Sequence, residues 1–234
     1  MQFVWEHNGN DTLLYSQDFV GAFTRGNDLP QAMDKVRREM ITYSLWSDIA
    51  LPESIEIEIV QEKDSSLNIC DADSDVIFDS EKEPLTLEEY QRLKALALRS
   101  ARDFYELYSS IPDKDKSTNP LRRTFYGNVP RTAQEMYDHT KNVNAYYFGE
   151  IDIDADNEGT IYECRERGFA KLEEKPGFLL NPVISGSYDE LWSLRKLLRR
   201  FLWHDRIHAK AMYRMAVKTF GPEGIADPFH LDTL

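Results

Sequence analysis

The sequence predicts an α+β protein, a small N-terminal βββαβ unit followed by an all-α four-helix bundle. Three observations carry this. Short alternating apolar segments and an Asn-Gly turn crowd the first 60 residues. Four Ser/Thr-x-x-Glu signatures later in the chain each precede a run of helically spaced apolar residues. Between the two regions lies an acidic stretch, poor in aromatics, that ends at Pro84. The organisation expected is an α+β domain over 1–63, an acidic linker over 64–85, the bundle over 86–220 and a tail over 221–234.

Residues 2–6, 11–16 and 19–24 read as strands. The first two flank His7-Asn-Gly-Asn10, a hairpin turn signal because glycine and asparagine accept the positive φ that a two-residue loop needs. Asp28 is placed to cap a helix, with Pro30 in its first turn and Gln31 three residues beyond the cap. Ala32, Val36, Met40 and Tyr43 give that helix one apolar stripe to about Trp46. Ile55-Glu-Ile-Glu-Ile59 alternates strictly and reads as a half-buried strand.

In the second region Thr86, Thr132, Thr160 and Ser187 each stand three residues before a glutamate (Glu89, Glu135, Glu163 and Glu190), the spacing of a capping box. Ile111-Pro112, Gly149, Pro176-Gly177 and Gly221-Pro222 mark the helix ends. The first helix carries Tyr90, Leu93, Ala97, Ala101, Phe104 and Leu107 on one face. The second carries Met136, His139, Val143 and Tyr147, and the third Ile161, Arg165, Phe169 and Leu172. The fourth, expected over 187–220, carries Leu194, Leu197, Phe201, Ala211 and Met215, with His204 and His208 on the same stripe. Its basic residues, from Arg195 to Lys218, are expected to form a solvated face, and Asp205 to face away from the histidines.

The formal net charge is −13. Residues 48–90 hold 14 acidic side chains against Lys63 and Lys82, a balance that excludes a general affinity for nucleic acid. No apolar run is long enough to span a bilayer, and the first residues lack a basic start and an apolar h-region, so a cytoplasmic protein is expected. Cys70 and Cys164 are too few for a disulfide framework or a cysteine metal knuckle.

His139, His204 and His208 are three of only five histidines, and all three are expected to point into one bundle core. Two histidines four apart on a helix have Cβ atoms about 5–6 Å apart, within reach of one metal ion. Neutral imidazoles suit zinc, nickel or iron, and three protein ligands leave a coordination position open for water or a thiol. Glu135, one turn before His139, is the candidate for a supporting carboxylate or general base, although its capping position explains it equally well. Residues 152–163 imitate a calcium-binding loop, but Asn157 stands where glycine is required, so an acidic surface loop is expected.

Two resemblances extend this reading. The run Phe19-Val-Gly-Ala-Phe-Thr-Arg-Gly-Asn-Asp-Leu-Pro-Gln-Ala-Met33 makes residues 2–60 similar to the HicB-like antitoxin domain. That likeness implies a βββαβ fold that pairs with a protein partner or dimerises. The DNA-binding segment that usually accompanies it is lacking here, so a structural or dimerising role is expected.

Residues 86–220 resemble the DinB-like family through His139 in Tyr137-Asp-His-Thr-Lys-Asn-Val143 and through His204 and His208 in Leu198-Arg-Arg-Phe-Leu-Trp-His-Asp-Arg-Ile-His208. The resemblance implies a four-helix bundle holding a divalent metal through these three residues. It also implies thiol-dependent transferase or isomerase chemistry on a small molecule, with a low-molecular-weight thiol as cosubstrate. A metal-activated transfer or hydrolysis is therefore the leading expectation. A non-catalytic metal-binding or protein-interaction module, as in stress response or toxin–antitoxin pairs, is the alternative.

Overall fold

The computed structural model of the protein describes residues 1–124 and 127–233. The first 64 residues form a four-stranded sheet with two helices. Strands β1 (Gln2–Asn8), β2 (Asp11–Ser16), β3 (Phe23–Gly26) and β4 (Glu58–Asp64) lie in the order β3-β2-β1-β4. β1–β2 and β2–β3 are antiparallel, and β4 returns parallel to β1 after α1 (Leu29–Asp34) and α2 (Val36–Ser47). The Asn-Gly turn closes the β1–β2 hairpin as expected, with Gly9 at φ 57°. Asp28 caps α1 by accepting from the Gln31 amide at 2.8 Å.

Two strands sit later in the chain than the apolar pattern predicts. Residues 19–22 make a turn instead of opening β3: the Ala22 amide bonds to the Phe19 carbonyl, and Gly21 adopts φ 91°. A side chain at Gly21 would overlap Leu202, so this glycine lets the turn approach the longest helix closely. β4 begins at Glu58 because its backbone pairs from there with β1, while Ile55 and Ile57 pack into the core ahead of the strand.

Both faces of the sheet are covered. Phe3 and Leu14 pack with Val36, Met40, Tyr43 and Trp46 on one side. Val4, Leu13, Tyr15 and Phe23 pack on the other with Ile69, Val76, Phe78 and Trp203. Double coverage explains why β2 is buried from Thr12 to Ser16 without alternation.

The partners on the second face correct the reading of 64–85 as a linker. This acidic strap lies across the sheet, with Ile69, Val76 and Phe78 buried. It is held by polar groups as well: Glu6 accepts from Ser74 Oγ at 2.6 Å and from the Tyr15 hydroxyl at 3.1 Å, all three buried. The residues expected as a tail also fold back, bringing Phe229 onto Trp46 with ring centroids 5.5 Å apart.

The rest of the chain is mainly helical: α3 (Leu87–Ser110), α4 (Ala133–Gly149), α5 (Ile161–Glu173) and α6 (Leu194–Phe220). α3 packs on α4, α5 and α6, and α4 packs on α5 and α6. Thr86, Thr132 and Thr160 each complete a capping box with Glu89, Glu135 and Glu163. The fourth expected box does not form. Tyr188 and Asp189 take positive φ, Leu191–Trp192 pairs as a short strand with Ile184–Ser185, and α6 starts seven residues later than expected, capped by Ser193. Glu190 turns to Lys196 at 2.8 Å instead. Substituting Thr132 by alanine is expected to cost about 1 kcal/mol. Chemical denaturation should show this as a lower midpoint at unchanged slope.

The basic face of α6 is the largest departure from expectation. Lys196, Arg199 and Arg206 are buried, and so is Asp205. Arg199 pairs with Glu81 of the strap, and Arg206 and Lys210 pair with Glu39 of α2 at 3.0 and 2.6 Å. Asp205 meets Arg165 of α5 at 2.5 and 3.1 Å, and Arg165 also donates to the Ala97 carbonyl of α3. The first half of α6, residues 194–206, is therefore enclosed, with apolar contacts on its helical side and ion pairs toward the strap and α2. Among the described residues no helix is long and apolar enough to cross a membrane.

Candidate metal centre

α4 contributes His139, and α6 contributes His204 and His208. Their ligand nitrogens all lie within 4.8 Å of one another. The ring centroids are 5.1 Å apart for His139–His204, 4.7 Å for His139–His208 and 4.5 Å for His204–His208. The cluster sits where α4 and α6 touch, but it is not in a bundle core as expected. The buried stripe of α4 runs through Met136, Thr140, Asn144 and Tyr147, so His139 is turned to the edge of the helix and is exposed. His204 is buried and His208 half-buried.

The edge opens into a cavity of about 900 Å³ between the helices and the N-terminal unit. β3 contributes Phe23, Thr24 and Arg25 to its wall, α2 contributes Arg38 and Glu39, and the strap contributes residues 71–74. Along α6 the wall is formed by Arg200, His204, Ile207, His208, Ala211 and Arg214. These positions recur at three- and four-residue spacing and so make one stripe.

Burial dominates the electrostatics of the three imidazoles. Partial desolvation lowers the pKa of His139, whose residue stays exposed, and burial lowers that of His204 strongly, helped by His208 and His139. For His208 burial and then His139 push the value to about 3. These shifts all favour the neutral ring, which offers one lone pair to a metal. His204 Nε2 lies 3.3 Å from His139 Nε2. Two nitrogens on one tetrahedral zinc, at bonds of about 2.0–2.1 Å, are held about 3.3–3.4 Å apart. A hydrogen bond between the two rings gives the same distance, so it is the addition of His208 within 4.8 Å that makes the set a candidate for a metal. The donor set and spacing therefore fit a divalent ion. Among the described residues no fourth histidine, cysteine or carboxylate joins the group.

Glu135 does not reach the site. Its carboxylate accepts from the Arg131 and Thr132 amides at 2.7 and 3.2 Å and completes the cap of α4. Two acids of 152–163 are likewise spent on structure: Asp156 pairs with Arg167, and Glu163 caps α5.

Sequence reasoning missed the strap and the arginines. Of the three carboxylates in the cavity wall, Glu39 is paired with Arg206 and Lys210, and Asp71 with Arg122. Asp73 has no ion pair among the described residues, and burial raises its pKa. Arg200 lies 4.8 Å from the Trp203 ring and 5.6 Å from those of Tyr147 and Trp192, within cation–π range of all three. The signal available was the four-residue step from Arg200 to His204, which places both on one face. No protein-family model, curated protein or solved structure matches the chain.

Proposed function

We propose that this chain is a metal-dependent enzyme of the DinB-like kind, acting on a small molecule, with His139, His204 and His208 holding one divalent ion such as zinc, nickel or iron. The observation that carries the reading is the convergence of three neutral imidazoles, without a fourth protein ligand among the described residues, in the wall of a 900 Å³ cavity. Structural zinc sites are closed by four protein ligands, whereas catalytic ones keep a position open. When bound, the ion would supply Lewis acidity and lower the pKa of water or of a low-molecular-weight thiol. Asp73, whose carboxyl pKa is raised by burial, lines the same cavity and would be the carboxylate available there for proton exchange. Tyr147 packs edge-on against His204 at 5.9 Å and restrains its ring. β3, α2 and the strap wall the cavity, which supports a role for the HicB-like unit in enclosing the site.

The test is elemental analysis of tag-free protein beside a His204→Ala/His208→Ala variant. About one equivalent of metal in the wild type, lost in the variant while cooperative unfolding persists, is the expected result. Absence of metal after incubation with zinc, nickel or iron would remove the metal reading.

A further inference from the structure

The cavity has a charge opposite to that of the molecule. Its wall carries seven basic side chains against three acidic ones, in a chain whose formal net charge is −13. Much of this charge is internally matched. Arg122 is paired with Asp71, Lys210 with Glu39, Lys35 Nζ donates to the Arg25 carbonyl, and Arg200 Nη1 donates to the Ser74 carbonyl. Arg38 is engaged as well, which leaves two guanidinium groups. Arg25, on β3, and Arg214, on α6, have no carboxylate or hydrogen-bond acceptor for their side chains among the described residues. Both residues are solvent-exposed, and their charges act on each other: partial desolvation and then Arg25 hold Arg214 below its ordinary pKa. Water screens the repulsion between these two exposed charges, and an oxyanion that bridges them would gain charge-assisted hydrogen bonds from both.

The stripe on α6 sets the scale. Arg214 lies six residues beyond His208, about 9 Å along the helix axis. An anion held by Arg25 and Arg214 would therefore sit one to two helical turns from the histidines, at the end of the cavity away from Asp73 and Arg200.

We propose that Arg25 and Arg214 form an oxyanion-binding subsite for a carboxylate or phosphoryl group of the substrate, which orients its other end toward His139, His204 and His208. The orienting role rests on the metal-site reading above; the anion subsite itself does not. Guanidinium pairs suit such groups because each presents a planar fork of donors to the oxygens.

The test uses the full chain, wild type and Arg25→Gln/Arg214→Gln, each chelator-treated and zinc-loaded. Sodium phosphate and sodium succinate are the probes, titrated calorimetrically at constant ionic strength. The expected result is saturable binding of at least one probe to chelator-treated wild type, weakened about tenfold or more in the variant. Arg25→Lys/Arg214→Lys should bind between the two. Binding of phosphate alone identifies a phosphoryl group, and binding of succinate identifies a carboxylate. Failure of both probes to bind, or equal binding by wild type and the folded glutamine variant, overturns the proposal. If the double variant does not fold, Arg25→Gln and Arg214→Gln made singly carry the same comparison. Zinc bound at the histidines with no anion binding refutes this inference alone. Anion binding that responds to the arginines in a protein that takes up no metal refutes the metal reading alone.

Discussion

Replacement of Asp205 by alanine is expected to destabilise the protein by about 3–5 kcal/mol, enough to remove much of the stability of an ordinary domain. Asp205 and Arg165 are both fully buried, and Asp205 accepts two hydrogen bonds from the one guanidinium. Truncating the acid leaves that guanidinium in the interior with only the Ala97 carbonyl and the Phe201 ring, 4.1 Å from its centre. An uncompensated buried charge costs more than the pair itself contributes. The matching result is non-additivity: Asp205→Ala combined with Arg165→Met should be less destabilised than Asp205→Ala alone. Denaturant unfolding of the three variants decides the matter. A loss below about 1 kcal/mol for Asp205→Ala would show that water reaches Arg165 and that the pair does not anchor α5 to α6 beside His204.

Acid should unfold the metal-free protein earlier than a comparison of surface charges suggests. His204 and His208 have folded-state pKa values below their unfolded ones, with His208 pushed from 6.5 to about 3. Below pH 6.5 the unfolded chain gains protons that the folded one refuses. The stability supplied by these groups is thus complete above the unfolded value and is lost as pH falls toward the folded one. For His208 the loss between pH 7 and pH 5 is about 2 kcal/mol. His204 and His139 act in the same direction. Glu6 and Asp73, whose carboxyl pKa values are raised by burial, act in the opposite direction. The histidine contribution is therefore read as the difference between wild type and His204→Gln/His208→Gln, measured by urea unfolding at pH 7 and pH 5. An advantage of the variant that grows as pH falls is expected. An advantage independent of pH would mean that the imidazoles are solvated in the folded state.

Local signals were read from the sequence where the physics is local. Thr86, Thr132 and Thr160 announce helix starts because each side chain satisfies an amide three residues away, and the tertiary structure has little to override. The His7–Asn10 turn is legible for the same reason. Ser187 shows the limit: the same four-residue pattern fails once backbone pairing of Ile184–Ser185 with Leu191–Trp192 recruits the residues that follow it. Glu135 shows another. Its spacing from His139 admits two roles, and the backbone amides of Arg131 and Thr132 take the carboxylate.

The histidine site was partly visible, since spacing alone puts His204 and His208 on one face of a helix and His139 on a neighbouring one. By itself, then, the sequence determined the α+β class, most helix boundaries, the hairpin and the three residues able to share a metal. Tertiary structure alone decided what surrounds them. Arg199, Arg206 and Asp205 look solvent-facing on a helical projection because their partners, Glu81, Glu39 and Arg165, are 40 or more residues away in sequence. Whether a charge is solvated or buried depends on which distant groups fold against it, and periodicity carries no information about those. For the same reason the acidic strap looks like a linker until Ile69, Val76 and Phe78 are seen beneath it, and the cavity that opens on His204 exists only where the two halves of the chain meet.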